Sequence, residues 1–150
     1  MPHVMSHHES SLVMTKVHFK YDGKTVSTAP SSNYEHVYTS LGRLQNTPIA
    51  VGGYKKKVEA LQAGSWSELA DFPFVEINIY SYSMVTFDET LFIFGGVGYG
   101  HYLDIAVKCS RISTDGNMWT PAGSLMSPRR SHRSVVIGDT IMHIGGSGIE

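Results

Sequence analysis

Cysteine is nearly missing from this sequence: Cys109 stands alone. One thiol cannot form an internal disulfide, and no paired-cysteine spacing for a metal exists. Such scarcity points toward a reducing, cytoplasmic setting, with an extracellular one left open because disulfides are not essential to every exported fold. Charge of one sign is lacking too, since the formal net charge is -1 and the isoelectric point is about 6.7. No global field therefore attracts nucleic acid or an anionic membrane, and neither is expected as a partner. No apolar run approaches the ~20 residues of a membrane span. Residues 1–14 carry neither a basic leader nor a continuous apolar stretch, and do not read as a secretory signal. The sequence also holds no Gly-x-Ser-x-Gly elbow, no His-Glu-x-x-His helix and no phosphate loop. We therefore expect no catalytic residue, no cofactor and no resident metal. His3, His7 and His8 are too sparsely framed to suggest one, with Glu9 their sole neighbouring carboxylate.

Glycine is what the chain has in quantity, with 15 residues, alongside 11% aromatic and only 17% charged residues. That mixture favours short strands joined by tight turns. The glycines are also ordered. Doublets fall at Gly52-Gly53, Gly95-Gly96 and Gly145-Gly146, spaced 43 and then 50 residues apart. Each ends an apolar run: Pro48–Val51, Leu91–Phe94 and Ile141–Ile144. Periods of this size indicate a repeat array. Before the second doublet stands Tyr82–Phe87, a turn at Asp88–Thr90, then the apolar run. Before the third stands Arg133–Ile137, a turn at Gly138–Thr140, then its apolar run. After the first two doublets come a strand-like segment (Val58–Gln62, Val107–Ile112), a polar turn and a tryptophan, Trp66 or Trp119. Each unit thus reads as four short antiparallel strands. The second, apolar at nearly every position, is buried on both faces, and the third and fourth lie further out. Near the N-terminus, Val17–Tyr21, an Asp22-Gly23 turn and Thr25-Val26 read as two outer strands of a preceding unit without its tryptophan.

An apolar strand, a diglycine and a spaced tryptophan resemble the kelch repeat, and Pro128-Arg129-Arg130-Ser131-His132-Arg133-Ser134-Val135-Val136 is similar to that family's lead-in segment. The family's tyrosine between diglycine and tryptophan is missing, and Val58–Leu61 stands in that region of one unit. The resemblance covers about residues 36–150. It implies an all-β fold of antiparallel four-stranded blades, a kelch β-propeller, with about twelve strands or three blades' worth. On this reading residues 1–14 are disordered or loosely attached. Residues 15–150 form a partial propeller in parts 15–35, 36–79, 80–128 and 129–150. Trp66 and Trp119 should pack between blades with Phe72, Leu91, Ile93, Phe94, Ile141 and Ile144. Three blades do not close a ring, as propellers have about 4–8. Either the sequence is a fragment, or two copies self-associate through their open blade edges.

The resemblance further implies a non-enzymatic module that binds a protein or peptide through blade loops. Candidate contacts are Arg129, Arg130, His132 and Arg133, with Tyr80, Tyr99, His101 and Tyr102. Guanidinium groups suit acidic partners. Arg129 and His132 have a rival role as loop supports that bond backbone carbonyls. The alternative class is a galactose-oxidase-like propeller enzyme, which requires a cysteine joined to a tyrosine; Cys109 would be its sole candidate.

Overall fold

The structure, a computed structural model, describes residues 16–148. The expectations for residues 1–14, the three histidines among them, lie outside the described residues. Strands follow in chain order as β1 (His18–Tyr21), β2 (Val26–Ala29), β3 (Leu41–Leu44), β4 (Thr47–Val51), β5 (Val58–Gln62), β6 (Ser65–Glu68), β7 (Ser83–Phe87) and β8 (Thr90–Phe94). Then come β9 (Val97–Gly98), β10 (His101–Tyr102), β11 (Ile105–Cys109), β12 (Thr120–Ser124), β13 (Arg129–Arg130), β14 (Arg133–Ile137), β15 (Thr140–Ile144) and β16 (Ser147–Gly148). Every pairing between them is antiparallel, and the described residues contain no helix. Accordingly, among the described residues no helix is long and apolar enough to cross a membrane.

Two complete four-stranded sheets form, β3-β4-β5-β6 and β7-β8-β11-β12, each in sequence order. They are flanked by two hairpins, β1-β2 and β14-β15, and small two-residue ladders join β9 to β10 and β13 to β16. The edge strands β3, β7 and β14 lie side by side, which aligns successive sheets about a common line. Tight hairpins make this compact. Gln45-Asn46, Ala63-Gly64 and Asp88-Glu89 each place two residues in the left-handed region. Such turns twist in the same sense as the strands they join. At the β1–β2 turn, the Asp22 carboxylate accepts hydrogen bonds from the Lys24 and Thr25 amides, both at 2.9 Å. Those bonds hold its pKa below the usual carboxylate value.

The core follows the apolar second strands. Ile49, Val51, Leu91 and Ile93 are fully buried, together with Val58, Ala60, Phe72 and Ile79. Trp119 packs edge-on against Phe72 with ring centroids 5.2 Å apart, a geometry that adds about 1 kcal/mol beyond burial itself. Trp66 instead donates from Nε1 to the Pro30 carbonyl at 2.9 Å and so fastens the β1–β2 hairpin to the first complete sheet. One part of the expected core is corrected. Ile144 is 70% exposed and Ile141 is half-buried, because β14-β15 has no third and fourth strand beside it.

The three glycine doublets share one backbone conformation. All six residues have φ between +66° and +117°, a region that β-branched residues avoid. The second glycine of each doublet lies against its own unit's lead-in segment: a Cβ on Gly53 would come 2.8 Å from the Glu35 carbonyl, and one on Gly96 equally close to that of Tyr80. The first glycine of the first two doublets, Gly52 and Gly95, lies against the next unit, whereas Gly145 has nothing within 4 Å. A Cβ on Gly95 would sit 2.6 Å from the Arg129 carbonyl. These close approaches are themselves bonded, with Gly53 N donating to Ile79 O and Gly96 N to Arg129 O, both at 2.8 Å.

Gly96→Val is therefore expected to destabilise the chain by roughly 2 kcal/mol or more from left-handed strain and the carbonyl clash together. Gly116→Val, at a position with open space and no positive φ, should stay within about 1 kcal/mol of the parent. Urea unfolding of the two variants checks this, and equal midpoints would contradict the account.

Candidate interaction face

The loops after the diglycines and the segments leading into the next sheet are laced together on one side of the molecule. Tyr80 and Val97 exchange backbone hydrogen bonds, Arg129 N donates to Leu103 O, and Arg129 and Arg130 pair with Gly148 and Ser147. A second ladder runs from unit to unit: Ser81 N donates to Tyr38 O at 2.6 Å, and Ser131 N to Ser81 O at 2.8 Å. Tyr38, Ser81 and Ser131 all have left-handed φ, between 55° and 58°. The repeat register makes them one position in three successive units, and the left-handed turn accompanies the inter-unit bond in each.

Beside this ladder lies a groove of about 310 Å³ lined by Tyr38, Thr39, Ser40, Ser81, Tyr82, Ser131 and Arg133. It is rich in hydroxyls and carries one guanidinium. Arg133 is exposed, and its Nη1 donates to the His132 carbonyl at 3.0 Å, which steadies the guanidinium without using all its donors. Along the rim, Tyr38, Tyr54 and Tyr80 form an aromatic cluster with ring centroids 5.7 to 6.4 Å apart. Tyr38 and Tyr54 are exposed, whereas Tyr80 is half-buried between them.

The residues anticipated from sequence separate into distinct settings. Arg133 and Tyr80 belong to the groove and its rim. Arg130 and Tyr102 pair with each other: Nε donates to the phenol oxygen at 3.0 Å, and the guanidinium stands over the ring. Tyr99 and His101 border a second notch, of about 300 Å³, with Phe74, Val75 and Leu103. Arg129 bonds Gly145 O and Ser127 Oγ and acts as a loop support. His132, a candidate contact with a rival role as a loop support, is not at the surface. It is fully buried, and its Nε2 lies 2.9 Å from Ser83 Oγ. It takes the position that Tyr82 holds one unit earlier, where the phenol donates to Val51 O.

His132 opens a chain of polar contacts across two sheets. Ser83 Oγ meets Ser134 Oγ at 2.6 Å, and Ser134 Oγ meets His143 Nδ1 at 2.6 Å. Burial, the neighbouring His143 and Arg129 lower the His132 pKa to about 4. Burial and then Arg129 also lower that of His143. The described residues hold a second polar centre that sequence reading missed. Glu59 is fully buried, and its carboxylate accepts from Asn33 N and Nδ2 at 2.8 Å, Tyr34 N at 3.1 Å and His36 Nε2 at 2.6 Å. His36 Nδ1 lies 2.8 Å from Gly52 O, so both ring nitrogens face acceptors. This network clamps the segment that delivers Tyr38 to the groove, and a buried polar group is tolerated only when so satisfied. The one sequence signal was a glutamate inside a strand where the equivalent positions are Phe19 and Val107. Sequence reading also passed over Tyr38 and Tyr54, although Tyr54 directly follows the Gly52-Gly53 doublet.

A pH dependence follows from His132. The unfolded histidine titrates near 6.5 and the folded one near 4, so the unfolded chain takes the proton first. Its share of stability is intact above about pH 6.5 and falls as pH drops toward 4. His132→Gln, which cannot titrate, should flatten the stability profile across that window in urea titrations at several pH values. A profile as steep as the parent's would refute the role.

No protein-family model matches this chain, and no curated protein matches it. Solved structures do match, 110 chains in all. One of them, described as the structure of YjhT, superposes with a TM-score of 0.70 over 89% of this chain at 16% sequence identity. The alignment covers 46% of that chain, so the present sequence spans less than half of its length. At this identity the likeness shows the fold: all-β, in antiparallel sheets.

Proposed function

We propose that this chain is a segment of a kelch-type propeller and acts as a non-enzymatic recognition module, binding a protein or peptide with acidic side chains at the groove beside the inter-unit ladder. The observation that carries the reading is Arg133, exposed at the end of a groove whose other lining groups include the hydroxyls of Thr39, Ser40, Ser81 and Ser131. A guanidinium with unused donors accepts a carboxylate in bidentate fashion. The hydroxyls satisfy backbone polar groups of an extended segment, and the Tyr38–Tyr54–Tyr80 rim offers apolar anchorage with little side-chain entropy to lose. Loops borne on a rigid sheet scaffold suit such contacts. The kelch assignment draws support from the three doublets, which share one backbone conformation and whose second glycines each lie against their own lead-in segment.

A cytoplasmic, reducing setting is part of the proposal. Cys109 is 2% exposed, and burial pushes its thiol pKa up to about 12. That keeps it protonated and inert, and it favours recognition over an oxidase-like chemistry that would need a reactive thiolate.

Selection of a random peptide display library on the purified chain should enrich sequences rich in Asp and Glu. Binding of a selected peptide should weaken with added salt. Arg133→Ala should lower affinity about tenfold or more, in the range of a lost charge-assisted hydrogen bond. Selection without acidic enrichment, or unchanged affinity in the variant, would overturn the reading.

A further inference from the structure

The notch of about 300 Å³ beside the β9–β10 hairpin shares no lining residue with the groove of Arg133. It opens between the segment that leads into β7 and the loop that follows the second diglycine. Both belong to the second complete sheet, which has the first complete sheet on one side and the β14-β15 hairpin on the other. We propose that this notch receives a basic side chain, arginine above all, from a partner polypeptide. The inference goes beyond the groove and is independent of what the groove binds.

Glycine makes the floor. Gly98 is buried, and a Cβ there would come 3.3 Å from the Asn78 carbonyl oxygen, from Leu103 Cδ1 and from Val75 Cγ1. The hairpin is held in place by its backbone: Tyr99 N donates to Asn78 Oδ1 at 2.7 Å, and Leu103 N to Gly96 O at 2.8 Å. Aromatic rings border the opening. Phe74 is 48% exposed and Tyr99 62%. Both have left-handed φ, 70° and 50°, a region where bulky residues are uncommon. Tyr99-Gly100 forms the two-residue turn of the hairpin, a place that asparagine or aspartate ordinarily fills. The Phe74 ring stands edge-on to the buried Phe72 ring, with centroids 6.4 Å apart. Strained backbone that carries exposed rings is typical of segments that clamp a ligand.

Charge names the occupant. Glu76 is the one carboxylate that borders the notch, and no lysine or arginine borders it. Glu76 is exposed, and among the described residues its carboxylate has neither a hydrogen bond nor an ion pair. Carboxylates of the preceding sheet and link are engaged instead, Glu59 by its clamp and Glu68 and Asp71 by Lys57. Arg130, the nearby arginine of this face, is already stacked on Tyr102. A free carboxylate beside two exposed rings is the pairing that a guanidinium satisfies. Its charge is drawn to the ring faces, its fork fits the carboxylate, and its methylene stem lies along Val75 and Leu103. An acidic side chain would meet Glu76 as a like charge, so notch and groove select opposite signs.

The probe is the tripeptide N-acetyl-Gly-Arg-Gly-amide, titrated into the isotope-labelled 150-residue chain and followed by amide chemical shifts. Saturable shifts are expected at Glu76 and from Gly98 to Leu103. The citrulline counterpart, the same shape without the charge, should bind about fivefold more weakly. Glu76→Gln and Tyr99→Leu, both at exposed positions, should each weaken the arginine peptide about threefold or more. Asp104→Asn removes an exposed carboxylate that does not line the notch and should leave binding unchanged. Equal binding of the arginine and citrulline peptides, shifts absent from the notch, or equal effects of Glu76→Gln and Asp104→Asn would each overturn the proposal. So would a leucine tripeptide that binds as tightly as the arginine one, which would mark the notch as an ordinary apolar contact. Any of these failures leaves the groove reading standing, because acidic peptides at the groove are read from shifts at Ser81 and Ser131.

Discussion

Backbone crossing backbone at close quarters is the constraint on which this structure depends. At each complete doublet, the carbonyl of a neighbouring segment occupies the space where a Cβ would stand, and the glycine amides bond to carbonyls across the gap. Hydrogen bonds and steric exclusion thus act at the same point. A left-handed φ makes the chain turn there, and only glycine adopts it at six such places without strain. Each sheet is joined in this way to the next, so the alignment of β3, β7 and β14 follows from local backbone contacts before side-chain packing adds to it.

Side chains then fill equivalent positions with different chemistry. One site between units is Tyr82 in the first case and His132 in the second. The phenol reaches a carbonyl of the previous sheet, whereas the imidazole meets a serine and is held neutral by burial. Another position is Glu59, Val107 and Phe19 in three successive units. Where it is glutamate, a whole connecting segment supplies donors to it. The repeat therefore specifies geometry, while each interface is satisfied by its own polar or apolar solution.

The segments that lead into β3, β7 and β14 show why a run of arginines is not one surface. Residues 129–133 alternate in direction along an extended and then sharply turned chain. Arg129 turns to Gly145, Arg130 stacks on Tyr102, His132 goes inward, and Arg133 reaches the groove. The left-handed turn at Ser131 separates the two outward arginines and brings its own hydroxyl to the same groove.

Much of the architecture was legible in the linear chain. Doublet spacing, apolar runs and tight turns located the strands of both complete sheets and both hairpins, because glycine positions and period-two burial are local consequences of backbone sterics. The tryptophans were recognisable, although Trp66 and Trp119 differ in that one bonds a carbonyl and the other packs on Phe72. Tertiary structure alone decided which polar residues lie inside. Glu59 and His132 are of types that usually face water, and their burial depends on donors and acceptors 20 to 50 residues away in sequence. The same holds for Ile144, apolar and strand-borne yet exposed, because burial belongs to the neighbour that covers a residue and not to the residue itself.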